Sequence, residues 1–260
     1  MQTWSCSNPK ATMIIVHGAG EHHRRYEWLA EQWNRQGVEV IMGDLPGQGK
    51  TRGKRGHIQS FKQYIDTVYS WYQEAEKSNL PIFILGHSMG GLVVIRTIIE
   101  KKLTNVSGVI LSSPCLGLAK PPSKFVSIAS KAFNYVAPSF SAPSNIRSQN
   151  TTRNEEVREQ YSTDELRVRK VSIRWYQELL KAIRISHRET DKWNSNLPLL
   201  VLQAGDELVT DKNAAKQWFN TIESHEKIYK EWSGLYHELF NEPERNDVFT
   251  YAKGFVQQKL

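Results

Sequence analysis

A serine bracketed by glycines, Gly86-His87-Ser88-Met89-Gly90-Gly91, stands between the wholly apolar run at 81–85 (PIFIL) and an apolar stretch at 92–99 (LVVIRTII). A five-residue run with no polar face reads as a strand covered on both sides, and the stretch that follows has the length and composition of a buried helix. A strand that becomes a helix within two or three residues needs small side chains where the two backbones pass. It also holds the residue at the apex in a strained conformation with its side chain exposed. The bare pattern G-x-S-x-G is common; the strand before it and the helix after it make it informative.

Runs of the same apolar kind recur at 12–16, 38–42, 106–111 and 198–203, with helix-period stretches near 26–36, 59–77 and 89–102. Within 59–77, Phe61, Ile65, Val68 and Tyr72 fall at three- and four-residue steps while Lys62, Asp66, Gln73 and Glu76 take the opposite face. Alternating buried strands and helices predict an α/β fold, a mostly parallel central sheet with helices on both faces. From Pro114 to about Asp191 the rhythm breaks into proline- and serine-punctuated pieces, amphipathic patches such as 125–133 (FVSIASKAF) and a helix-like run at 171–185. It resumes at Leu199, with a helix at 211–223, a short strand at 227–231 and a terminal helix from about 244. The expected organisation is therefore a core of 1–113 and 191–260 carrying an insertion at 114–190, which suits 260 residues better than two independent domains. At most one extra edge strand fits before 12–16, and no internal repeat is visible.

Composition narrows the classes further. A mean hydropathy of −0.53 and the lack of any apolar run near the roughly 18 residues of a spanning helix argue against an integral membrane protein. The opening MQTWSCSNPK has no secretory apolar region. Two cysteines, Cys6 and Cys115, cannot make a disulfide framework or a zinc site, so buried thiols and a cytoplasmic location are expected. The net charge is +7, and 117–190 alone holds thirteen basic and seven acidic residues. A second basic knot, Lys50, Arg52, Lys54 and Arg55, lies in a glycine-rich loop. With no helix-turn-helix or zinc-finger signature, nucleic acid is not an expected partner. A solvated surface, or transient peripheral attraction to an anionic membrane surface, accounts for the charge.

Serine is a weak nucleophile unless a neighbouring base takes its proton. On a strand–elbow–helix scaffold the chain order is serine, then acid, then histidine. Asp206, just after the strand at 198–203, is the expected acid; Glu207 is expected to face away, and Asp211 reads as a helix N-terminal residue. His237, in the loop after the strand at 227–231, is the expected base, and His225 lies among polar residues and reads as exposed. Two backbone amides would hold a developing oxyanion: that of Met89 at the helix N-terminus, and that of Ala19 in the loop His17-Gly18-Ala19-Gly20-Glu21-His22. The histidines of HGAGEHH lack the helix motif of a metal site, and Asp44-Leu45-Pro46-Gly47-Gln48-Gly49 lacks the G-K-[ST] of a phosphate loop. No metal or other cofactor is expected.

With HGAGEHHRRY, DLPGQGKTRGKRGH, GHSMGG, SSP, AGDELVTD and YHELFNEP in this order, the chain resembles the monoacylglycerol lipase and lysophospholipase branch of the α/β-hydrolase family over almost its whole length. That resemblance implies Ser88, Asp206 and His237 as a catalytic triad, Ala19 and Met89 as oxyanion donors, and a helical cap over 114–190, inserted after the sixth strand of the family's scheme. The family's acid sits in a G-x-D-x-x-x-x-D stretch, which Gly205, Asp206 and Asp211 match when the first spacing is relaxed. It further implies hydrolysis of the esters of single-chain acyl lipids through an acyl-enzyme. Monoacylglycerol is favoured by the resemblance, and lysophospholipid by the basic insertion. Phe125, Ile128, Phe133, Tyr135, Val136, Phe140, Trp175, Tyr176 and Leu180 form a stripe that either lines an acyl channel or packs the insertion on itself. A non-lipid esterase, a C–C-bond hydrolase with the same triad and a catalytically silent binding module are the other readings.

Overall fold

The computed structural model describes every residue except Pro122 and Asn145, and every side chain among the rest except those of 124–127. The chain opens with β1 (Gln2–Trp4), β2 (Ala11–Val16), α1 (Glu27–Arg35), β3 (Val38–Met42), α2 (Lys62–Glu76), β4 (Ile82–His87), α3 (Met89–Lys101) and β5 (Gly108–Ser112). It continues with α4 (Lys124–Val136), β6 (Ser141–Pro143), α5 (Glu155–Thr163), β7 (Lys170–Ser172) and α6 (Ile173–Arg188). It closes with β8 (Leu199–Ala204), α7 (Lys212–Thr221), β9 (Lys227–Trp232) and α8 (Arg245–Gln257).

Seven strands form one sheet in the order β1-β3-β2-β4-β5-β8-β9. Every neighbouring pair is parallel except β1 with β3, where Gln2 faces Met42. The predicted α/β sheet is thus present, and the short N-terminus supplies its single antiparallel edge. Strands β2, β4, β5 and β8 are buried at every position, because successive side chains feed two different cores. Ile14, Ile84, Val109 and Val201 pack under α2, α3, α6 and α7. Met13, Phe83, Ile110 and Leu200 pack under α1 and α8.

Register decides where a site can form. Gly86 lies opposite both Val16 and Leu111, so β2, β4 and β5 end level and their following loops meet at one rim. Between β5 and its sheet neighbour β8 the chain leaves the sheet through α4, β6, α5, β7 and α6. Helix α6 returns to the core: Trp175 and Leu179 are buried, and Trp175 Nε1 donates to Tyr64 Oη at 2.8 Å. The stripe expected over the inserted segment therefore divides. Trp175 packs inward, with Tyr176 against it, whereas Ile128, Phe133, Tyr135, Val136 and Phe140 stand exposed. Phe125 lies outside the described side chains.

Candidate active site

Ser88 links β4 to α3 with φ 53° and ψ −120°, a conformation that L-residues seldom adopt and that costs of order 1–3 kcal/mol. The surroundings hold it there. Ser88 N donates to Ser112 O at 2.9 Å, and Ser88 O accepts from Gly91 N and Cys115 N, each at 3.0 Å. The flanking glycines are steric requirements: a Cβ on Gly86 would stand 2.7 Å from Gly90 O, and one on Gly90 would collide with the Val16 carbonyl oxygen.

His237 reaches this elbow from the loop after β9. Its Nε2 lies 2.8 Å from Ser88 Oγ, and its Nδ1 lies 2.8 Å from Glu207 Oε2. A carboxylate only accepts, so Nδ1 carries the proton, and neutral Nε2 is left to accept from the Ser88 hydroxyl. Burial works to lower the His237 pKa, but the Glu207 charge and hydrogen bond, with Glu238 and Glu21 behind them, raise it above the ordinary 6.5. The Glu207 carboxyl shows the reciprocal balance. Burial pushes it up, while His237 and the amides of Val209 and Thr210 hold it below the ordinary carboxylate value.

The carboxylate at His237 is Glu207, and the expectation of Asp206 is corrected. Gly205 N is tied to Trp232 O at 2.8 Å and Asp206 N to Leu235 O at 3.1 Å. This pins the turn after β8 with the Asp206 residue exposed to solvent. The next residue points the other way: the Glu207 side chain is fully buried, and its Oε1 accepts from Val209 N at 2.8 Å and Thr210 N at 3.1 Å. One signal in the sequence pointed there. Counted strictly from Gly205, the G-x-D spacing lands on residue 207, where this chain has glutamate, and the aspartate stands one residue earlier. Asp211 behaves as expected, its carboxylate capping α7 through Asn213 N and Ala214 N. His225 Nδ1 pairs with Asn196 Oδ1 at 3.0 Å, apart from the rim.

The loop after β2 is built around buried polar groups. Leu45 N donates to His17 Nε2 at 3.0 Å, which leaves His17 Nδ1 to donate to Gly18 O at 2.8 Å. Glu21, which the sequence reading passed over, accepts from Gly18 N at 2.7 Å and from Tyr26 Oη at 2.8 Å. Arg25 bridges Glu21 and Glu238, with Nη2 2.7 Å from Glu238 Oε2. His22 and His23 turn elsewhere, to Asp164 at 2.6 Å and Asp44 at 2.8 Å. The three histidines of HGAGEHH thus serve three different partners. The Asp44–Gly49 turn is structural: the Asp44 carboxylate accepts from His23 N and Lys50 N, where a Gly49 side chain would intrude.

Ala19 shares a small cavity with Ser88, His87 and His237, and Met89 is the first residue of α3, its side chain buried. His87 packs against His237 with ring centroids 4.8 Å apart. Burial drives its imidazole down to about 4, so it stays neutral. Ile146, Thr151 and Tyr161 from the inserted segment close the cavity, leaving about 10 Å³, close to the room of one water. A wider cleft of about 520 Å³ between β9 and α8 is lined by Ile228, Tyr251 and Phe255 and holds none of these groups. The rim arrangement can pass a proton between hydroxyl and imidazole and hold the resulting imidazolium against a carboxylate.

A level-ended parallel sheet with a strained serine elbow and a histidine–carboxylate pair at its carboxyl rim defines an α/β-hydrolase. The chain belongs to that family: residues 7–244 match the family described as serine aminopeptidase, S33. It is 50% identical to phospholipase YtpA of Bacillus subtilis over the full length of both chains. It is 33% identical to human monoglyceride lipase, covering 96% of this chain and 84% of the relative. The crystal structure of Paleococcus ferrophilus monoacylglycerol lipase superposes with a TM-score of 0.90 at 26% identity, over 100% of this chain and 99% of that one. Together these mark the chain as a carboxylic ester hydrolase of the lipase and esterase type.

Proposed function

We propose that the protein hydrolyses the carboxylic ester of single-chain acyl lipids, monoacylglycerols first among them, through an acyl-enzyme on Ser88. The observation that carries this is the hydrogen-bonded chain from Ser88 through His237 to Glu207. Ser88 Oγ attacks the ester carbonyl while His237 Nε2 takes its proton, and Glu207 stabilises the imidazolium. The amides of Ala19 and Met89 receive the oxyanion, with His17 and Glu21 fixing the loop that presents Ala19. The tetrahedral intermediate collapses as His237 returns the proton to the departing alcohol. A water then attacks the acyl-enzyme by the same route and releases the fatty acid. A core of 1–113 and 191–260 with a cap at 114–190 suits this chemistry, because Ile146, Thr151 and Tyr161 must lift before an acyl glycerol reaches Ser88.

Lysophospholipid is the second reading, favoured by the basic inserted segment and by the phospholipase name of the relative at 50% identity. The test has two arms. A fluorophosphonate should add once to the intact protein and not to Ser88→Ala; equal labelling of both would overturn the nucleophile. Turnover of monoacylglycerol and lysophospholipid, each at low and high salt, should favour the first. Activity on short soluble esters alone would remove the lipid assignment.

A further inference from the structure

The loop that carries His237 is held on its far side by the inserted segment. Three consecutive residues of that segment, Thr151, Thr152 and Arg153, pair in order with residues that follow the base. Glu238 N donates to Thr151 O at 2.7 Å, Thr152 Oγ1 donates to Asn241 O at 3.0 Å, and Arg153 N donates to Glu242 Oε1 at 2.6 Å. The Arg153 side chain completes the set. Its Nε donates to Glu242 Oε2 at 2.6 Å, and its Nη2 donates to Glu244 at the start of α8. The segment is itself braced: Asn154 caps α5 by accepting from Val157 N, and Arg158 Nε donates to Thr152 O at 2.6 Å.

Burial gives these contacts their weight. Thr151 and Thr152 are buried, and the Glu242 side chain is wholly so. A carboxylate taken out of water needs a partner, and among the described residues Arg153 is the cation paired with Glu242. Without it the charge would stay buried and unopposed, and moving the loop until water reached the carboxylate would relieve that cost. Glu242 follows His237 by five residues, and a short 3-10 turn at Leu239–Asn241 lies between them, so a shift at one end is felt at the other. On its near side the loop is fixed by the carbonyls of Trp232 and Leu235, which hold the turn that carries Glu207. His237 therefore stands between two supports, one from the core and one from the insertion.

We infer that Arg153 is a positioning residue for the catalytic base: through Glu242 it fixes the loop that sets His237 against Ser88, so the inserted segment supports the base as well as covering the cavity. For its purpose the inference rests on the reading of Ser88, His237 and Glu207 as a hydrolytic triad. Thr151 also lines the cavity. Lifting it to admit substrate slackens the hold on Glu238, and the base is set again when the segment reseats.

The test compares Arg153→Met with Arg96→Met in the full-length protein. Arg96 is also buried, also pairs with two carboxylates, Glu100 at 2.7 Å and Glu189 at 2.8 Å, and ties the other end of the insertion to α3. It has no partner in the His237 loop among the described residues. On a soluble short-chain ester, Arg153→Met should lower kcat about ten- to a hundredfold with KM within about twofold. Arg96→Met should leave both within about twofold, and Arg153→Lys, which keeps the charge, should recover most of the loss. Thermal unfolding checks that each variant is folded at the assay temperature. Where Arg153→Met does not fold, Glu242→Gln removes the buried charge instead of its partner and should lower kcat in the same direction. A second readout does not depend on turnover. The proton NMR signal of His237 Nδ1–H, identified by its absence from His237→Gln, should shift or broaden in Arg153→Met and stay in place in Arg96→Met. A signal unmoved in Arg153→Met, or losses that Arg96→Met shares, would overturn the positioning role. A wild type with neither ester turnover nor fluorophosphonate labelling, its signal still moved by Arg153→Met alone, would instead overturn the hydrolase reading and leave the loop support standing.

Discussion

The rim around Ser88 and the outer face of α4 break the ordinary rule of burial in opposite directions. At the rim, Glu21, Arg25, Glu207, His237 and Glu238 are buried, where charged groups are expensive. On α4, Tyr135 and Val136 lie in water. The buried charges are tolerated because nearly every one has a partner at bonding distance, so geometry is bought there with polar pairing. Of the exposed apolar groups on α4 and the turn after it, Phe133 and Phe140 meet each other with ring centroids 6.4 Å apart, while Tyr135 and Val136 stand almost wholly in solvent. Polar pairing lets charged groups leave water at the rim, whereas α4 carries apolar groups into water without burying them.

That contrast predicts a descending series of effects. Ser88→Ala or His237→Ala should lower kcat by about 10⁴-fold or more with KM little changed, measured on a soluble ester. Glu207→Gln should cost about 10³–10⁴-fold, while Asp206→Asn stays within about twofold; the reverse pattern would show that the observed carboxylate is not the working one. Arg25→Met leaves Glu21 and Glu238 buried without their cation and should cost about 3–5 kcal/mol in denaturant unfolding.

The pH dependence follows from the His237 shift. The base must be neutral to act, so kcat/KM should fall as pH drops through a value above 6.5. In Glu207→Gln burial is no longer opposed by that charge, and this acid limb should move to lower pH. The stability term has its own sign. Because the folded pKa is raised, His237 contributes stability that is fully present below the unfolded value, and it is lost as pH climbs through the folded one. The smallest effect is expected on the outer face: Tyr135→Ser should change unfolding free energy by no more than about 0.5 kcal/mol. A larger loss would mean that α4 packs inward in solution.

Much of this was legible in residue order. The apolar runs at 38–42 and 198–203 became β3 and β8 almost residue for residue, because Gly37 and Gly43 bound the first and Pro198 and Gly205 the second. Ser88 was legible because its glycines serve backbone crossing. His237 was found by elimination, since just two histidines follow the acid. The acid itself was not legible. Asp206 and Glu207 are adjacent carboxylates in one turn, and composition cannot say which side chain faces in. The α4 stripe failed similarly: an amphipathic helix announces an apolar side but not whether protein, ligand or membrane will cover it.

Sequence by itself determined the alternation of strand and helix, the elbow and the order in which nucleophile, acid and base occur, since these depend on local sterics and on patterns a few residues long. Only the tertiary structure decided which carboxylate meets His237 and which side of α4 is left uncovered. Both depend on contacts between distant segments. The amides of Gly205 and Asp206, held by the carbonyls of Trp232 and Leu235, turn Glu207 toward His237, and α6 occupies one side of α4.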